Sequence, residues 1–65
     1  MKNYYVEYPD GKRKHFQFLT RTYFSNAIRV LEVEDDKEPK WCMNKVDNIN
    51  NKVTKEELID IILKT

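Results

Sequence analysis

The chain has one glycine, one cysteine, one histidine and two prolines among its 65 residues. It also lacks any apolar run near the roughly 20 residues that a membrane-spanning helix needs. Each scarcity excludes a class of chemistry. The single glycine, Gly11, falls in a turn, so no glycine-rich phosphate loop is encoded. Cys42 has no second cysteine for an intramolecular disulfide, and with His15 as the one imidazole the chain cannot assemble a four-ligand Cys/His zinc site. His15 also has no recognisable nucleophile beside it. The paired carboxylates Asp35-Asp36 and Glu56-Glu57 fall in an open loop and in the first turn of a helix, where the macrodipole favours acids without any catalytic role. The expectation is therefore a protein that is not an enzyme and carries no cofactor and no metal. The start Met1-Lys2-Asn3 has no signal-peptide layout, and neither a lipidation motif nor a glycosylation sequon occurs, so a cytoplasmic location without membrane association is expected.

What the chain does have is charge and periodicity. Hydrophobic residues make up 40% and charged residues 35%, and because the apolar positions recur with clear spacing the chain reads as folded. Its length fits one small α+β domain over residues 1–65, with a thin core that a partner or a second copy would support. Twelve basic and eleven acidic groups leave a net charge of +1, too little for generic duplex binding through many phosphates. The charge is unevenly placed. Residues 1–21 hold five basic and two acidic groups (net +3), and residues 22–40 hold three and five (net −2).

The clearest fold signal is the turn Tyr8-Pro9-Asp10-Gly11-Lys12 between two runs of period 2. Pro presets φ, Asp tolerates the next position, and Gly supplies the left-handed residue of a three-residue hairpin loop with a bulge. Closing it pairs Glu7 with Arg13, Val6 with Lys14, Tyr5 with His15, Tyr4 with Phe16 and Asn3 with Gln17, the second strand running from about Lys12 to Leu19. Beyond it, Phe24, Ala27, Ile28 and Leu31 stand at i, i+3, i+4 and i+7, which predicts a helix over about Tyr23 to Val33, capped by Thr22 with Ser25 in its first turn. A strand over Ile28 to Val33 competes less well, because adjacent Val30 and Leu31 break the alternation. The charged turn Glu34 to Pro39 ends that helix, and Trp41, Cys42, Met43 and Val46 form a short strand. A polar loop is expected over residues 47–52. Thr54-Lys55-Glu56-Glu57 is a capping box, with Val53 and Leu58 at the hydrophobic-staple positions of a last helix.

These elements predict an α+β fold of two layers: a three-stranded antiparallel sheet in the order β-β-α-β-α, with the helices packed on one face. If the helix after the second strand crosses over, the sheet order is 2-1-3. The covered face carries Tyr4, Val6, Phe16 and Phe18, and the open one Tyr5, Glu7, Arg13, His15 and Gln17.

Three surface features carry functional expectations. The acidic cluster Glu32, Glu34, Asp35, Asp36 and Glu38 sits at the C-terminal end of the predicted helix, against the macrodipole, and such a conflict with local physics points to use elsewhere, for example against a basic surface of another protein. Trp41 joins Glu34, Asp35, Asp36 and Glu38 as a partner-binding residue, since Trp often anchors interfaces, though it also suits a core lid. The plain alternative for the acids is a solvated loop. The second constellation is Tyr5, Arg13 and His15, an aromatic beside cations on an open sheet, which suits stacking on unpaired nucleic-acid bases. Its structural counterpart is the Glu7 and Arg13 pair with lysines protecting an edge strand. Finally, Leu58 to Leu63 is apolar at five of six positions, leaving Ile59 and Leu63 for a partner or a homodimer. The combined expectation is a non-enzymatic protein-binding module, such as a phage or mobile-element inhibitor that occupies a surface of a host protein. The alternative is a single-strand nucleic-acid-binding protein.

Overall fold

The turn at Tyr8 to Lys12 closes as its residues dictate. Gly11 takes φ +88°, its N–H donates to the Tyr8 carbonyl at 2.9 Å, and the Tyr8 N–H donates to the Lys12 carbonyl at 2.9 Å. Asp10 Oδ1 accepts from the Lys12 N–H at 3.0 Å. The loop joins β1 (Lys2–Glu7) to β2 (Arg13–Phe16). Four of the five expected pairs are present, Tyr4 with Phe16 through Glu7 with Arg13. The fifth, Asn3 with Gln17, lies beyond the end of β2, which is shorter than the sequence predicts.

The computed structural model describes residues 1–46 and 52–65, and over these it corrects the expected fold class. The sheet has four antiparallel-paired strands in the order β2-β1-β3-β4, with two short helices, instead of three strands in a β-β-α-β-α chain. The predicted helix over Tyr23 to Val33 is helical only as far as Asn26 and is a strand from Arg29. Helix α1 (Arg21–Asn26) is capped by Thr20, whose Oγ1 accepts from the Tyr23 N–H at 3.3 Å, and not by Thr22. It stops at Ala27, which is extended, and the Ile28 N–H donates to the Glu7 carbonyl at 2.8 Å. From there β3 (Arg29–Glu34) runs antiparallel beside β1. Three of the seven residues from Ile28 to Glu34 are β-branched, namely Ile28, Val30 and Val33, a composition that favours a pleated surface over a helix. The expected order 2-1-3, with the Trp41 strand beside the first, is not found: residues 29–34 take that place and the Trp41 strand pairs outside them. Strands β2 and β3 run parallel across β1, joined by residues 17–28.

Adjacent Val30 and Leu31 break the period of a half-buried strand because both faces of this sheet are covered. Val30, fully buried, packs with Val6 and Ala27 against Tyr4, Tyr8, Phe16, Leu19 and Met43. Leu31, also fully buried, packs with Trp41 and Ile61 against Tyr5, Val33, Val53 and Leu58. The first cluster lies on the α1 side, where Tyr23 stacks on Phe16 with ring centroids 4.1 Å apart. The second lies under α2 (Lys55–Leu63). The helices therefore sit on opposite faces, contrary to the expected two-layer packing, and Phe18 is left 66% exposed. Full burial of Val6, Val30 and Leu31 stabilises the fold by about 1.5–3 kcal/mol each.

Strand β4 (Lys40–Asn44) completes the sheet, with a register shift opposite Val30 and Leu31 that makes Cys42 the extra residue between Trp41 and Met43. Lys52 bridges Lys40. The polar loop expected over residues 47–52 lies, except for Lys52, outside the described residues. Helix α2 starts as its capping box requires: Thr54 Oγ1 accepts from the Glu57 N–H at 3.1 Å, and the staple residues Val53 and Leu58 meet in the second cluster.

Candidate functional site

The acidic residues lie on the β3–β4 hairpin, whose turn is closed by the Lys37 N–H on the Glu34 carbonyl at 3.1 Å. No helix ends there, so the macrodipole conflict expected from the sequence does not arise. Glu32 and Glu34 are strand residues and point to the face that carries Lys2, because both alternate with Val33 and pair across to Tyr4 and Lys2. Glu32 is buried, and its carboxylate meets Lys2 Nζ at 3.3 Å, Lys40 Nζ at 3.6 Å and the Cys42 thiol at 3.4 Å. Burial alone would raise its pKa, but the Cys42 and Lys2 hydrogen bonds and the lysine charges outweigh burial and hold it below the usual carboxylate range. Lys2, Glu32 and Lys40 line a cleft of about 110 Å³ with Glu34, Lys37 and Glu38.

At the tip, Asp35 pairs with the N-terminal amine at 3.1 Å, both groups being 73% exposed, and Glu34 pairs with Lys37 at 3.5 Å. Asp36 and Glu38 are exposed and make no ion pair among the described residues. The structure thus brings Glu34, Asp35, Asp36 and Glu38 together on one hairpin but does not add Trp41 to them. Trp41 is 7% exposed, pairs with Leu31, and lies on the opposite face. It has the core-lid role, with the Arg29 guanidinium 4.7 Å from its ring centroid.

Tyr5, Arg13 and His15 do share a face, as their spacing requires. Tyr5 and His15 stack with centroids 4.9 Å apart and planes 20° from parallel, and His15 Nε2 lies 2.7 Å from Asn3 Oδ1. That face is not open, however. Tyr5 packs against the cluster under α2. Arg13 Nε meets Glu7 Oε1 at 3.4 Å, and Arg13 Nη1 meets Asp60 Oδ2 of α2 at 3.2 Å.

The charged residue that sequence reasoning missed is Arg29. Its Nε donates to Glu7 Oε2 at 2.6 Å and its Nη1 to Glu57 Oε1 at 3.0 Å, so Glu7 is shared by two arginines, each of which also reaches a carboxylate on α2. Burial pushes the Glu7 carboxyl up, yet the hydrogen bonds and charges of Arg29 and Arg13 bring it below its ordinary value. The signal was present: once residues 29–34 are read as a strand beside β1, Arg29 falls opposite Glu7 and on the face of Leu31 and Val33.

On the outer side of α2, Ile59, Ile62 and Leu63 are 47%, 38% and 77% exposed, at the i, i+3, i+4 spacing of one helical stripe. Among the described residues no group of three or more His, Cys, Asp or Glu is placed to hold a metal ion, and no helix is long and apolar enough to cross a membrane. No family model, curated protein or solved structure matches this chain.

Proposed function

We propose that this chain is a non-enzymatic protein-binding module that occupies a basic surface of another protein with the tip of its β3–β4 hairpin, in the manner of a small inhibitor. The observation that carries the reading is the pair Asp36 and Glu38, exposed at one end of the sheet without ion-pair partners among the described residues, beside an Asp35 whose side chain is 73% exposed and meets the Met1 amine. An exposed pair of that kind is worth little to the fold. Its carboxylates steer a basic partner and fix its orientation at small cost to stability.

The test is charge reversal. A partner captured from the source cell and identified by mass spectrometry is titrated against the parent and an Asp35→Lys/Asp36→Lys variant. The expected result is association slowed by about tenfold or more and a weaker salt dependence, with an unchanged far-UV spectrum. Equal association rates remove the hairpin from the interface.

A second reading, self-association through α2, draws on the exposed stripe of Ile59, Ile62 and Leu63. Sedimentation of the parent as a dimer and of Ile59→Lys as a monomer supports it, whereas a monomeric parent rejects it. The single-strand nucleic-acid reading has less behind it, since a phosphate at Arg13 must displace both Glu7 and Asp60. Oligonucleotide binding at low salt that is lost in Arg13→Ala would restore it.

A further inference from the structure

Strand β2 is the outer strand on one side of the sheet, and the hydrogen-bond phase determines which of its peptide groups face outward. The Tyr8 N–H donates to the Lys12 carbonyl, and the Glu7 carbonyl is taken by Ile28 from the β3 side. Tyr8 with Lys12, Val6 with Lys14 and Tyr4 with Phe16 are therefore the bonded pairs of the β1–β2 ladder, and Glu7 with Arg13 and Tyr5 with His15 the non-bonded ones. In an antiparallel ladder the non-bonded residues turn their N–H and C=O groups away from the partner strand, so Arg13 and His15 present theirs along the free edge. The opposite edge differs, because Lys52 bridges Lys40 of β4.

The side chains along this free edge are basic. Lys14 is exposed, makes no ion pair among the described residues, and holds its Nζ 5.9 Å from the Tyr8 ring centroid. Lys12 has a side chain 76% exposed, with a carboxylate, Asp10, no nearer than 4.0 Å. His15 is exposed next to them. Antiparallel pairing of β2 with its own copy, with Arg13 of one bonded to His15 of the other, would set Lys14 opposite Lys14, bringing like charges together, which is how lysines keep edge strands from self-pairing. A strand of opposite charge meets no such penalty.

We infer that the free edge of β2 takes an extended acidic segment of another polypeptide as an added strand, its backbone bonded to the peptide groups of Arg13 and His15 and its carboxylates set against Lys12 and Lys14. The site is separate from the acidic hairpin: the β1–β2 turn and the β3–β4 turn lie at opposite ends of the sheet, since Glu7 pairs with Arg29 and Lys2 with Glu34.

The experiment follows amide exchange in the full chain with a synthetic peptide of alternating glutamate and valine, and with its lysine and valine counterpart as control. With the acidic peptide at about ten times its Kd, exchange at the Arg13 and His15 amides slows by about tenfold, and the basic peptide has no effect. His15→Pro removes one outward donor while sparing the Val6 and Lys14 bonds, as proline on an edge strand permits, and abolishes binding with the far-UV spectrum retained. Lys14→Glu, which keeps every peptide group, weakens binding by about tenfold or more. Absence of protection at Arg13 and His15 overturns the inference. So does binding that both variants leave unchanged, or protection that grows with protein concentration in the absence of peptide, which would mark self-pairing.

Discussion

Arg29 lies across Trp41, its guanidinium carbon 4.7 Å from the ring centroid, while its Nε holds Glu7 at 2.6 Å. One side chain on β3 thereby touches the core of the second cluster, the neighbouring strand and, through Glu57, the helix above them.

Removing that side chain therefore costs more than one surface ion pair. Arg29→Ala loses a cation–π contact and two charge-assisted hydrogen bonds and leaves Glu7 partly desolvated with Arg13 alone. The expected loss is about 2–3 kcal/mol in urea denaturation, with Arg29→Lys falling between parent and Ala because an ammonium cannot reproduce the planar fork. A change under about 0.5 kcal/mol, the range of ordinary surface substitutions, would mean that the network is ornamental.

Acid should destabilise the fold through the same groups. Glu7, Glu32 and Asp60 all have folded pKa values below their ordinary ones: Glu7 and Glu32 because cationic and hydrogen-bonding partners outweigh burial, and Asp60 through its hydrogen bonds to Lys64 and Arg13. For a depressed carboxylate the stabilisation is complete above the unfolded pKa, about 4, and is lost as pH falls through the folded value. The urea midpoint is expected to hold between pH 7 and about pH 5 and to drop steeply below about pH 4. Glu7→Gln, less stable at neutral pH, should show a shallower drop. Parallel curves for the two proteins would assign the acid sensitivity to other groups.

Cys42 should be slow to react. The residue is exposed, yet partial desolvation of its sulfur and the adjoining Glu32 carboxylate push the thiol up to about 11, against the lesser pull of Lys40 and Lys2. Since the thiolate is the nucleophile, alkylation by iodoacetamide at pH 8 is expected to run on the order of a hundredfold slower than for an unperturbed thiol. Glu32→Gln removes the charge and the hydrogen-bond acceptor that favours the protonated form, so it should accelerate the reaction. Alkylation of the parent at the rate of a free cysteine would contradict this environment.

The parts of the fold legible in the sequence are those set by neighbours along the chain. Pro9, Asp10 and Gly11 specify a turn whose geometry dictates the register of Tyr4 to Glu7 against Arg13 to Phe16, and Thr54 specifies where α2 begins. Strand β3 was not legible because its signal is tertiary. A half-buried strand alternates, but Val30 and Leu31 are both fully buried, on opposite faces, once α1 and α2 cover the two sides of the sheet. The spacing of Phe24, Ala27, Ile28 and Leu31 matched a helix by coincidence: Phe24 is 38% exposed, and the helix ends before Ala27. A helix over β3 removes Arg29 from its place opposite Glu7 and gives the acids after it a macrodipole that the strand does not have. The grouping of Glu34, Asp35, Asp36 and Glu38 is the same for helix or strand, because contiguous residues stay together in a turn. Trp41 did not remain with them, since pairing with Leu31 sends its ring to the other side.

The consecutive burial of Val30 and Leu31 also bears on how the molecule comes apart. One strand serves as the spine of two small apolar clusters, so neither can be stripped away without wetting a residue whose immediate neighbour anchors the other. Melting is thereby tied into a single event, and a chain of this size loses its two halves together.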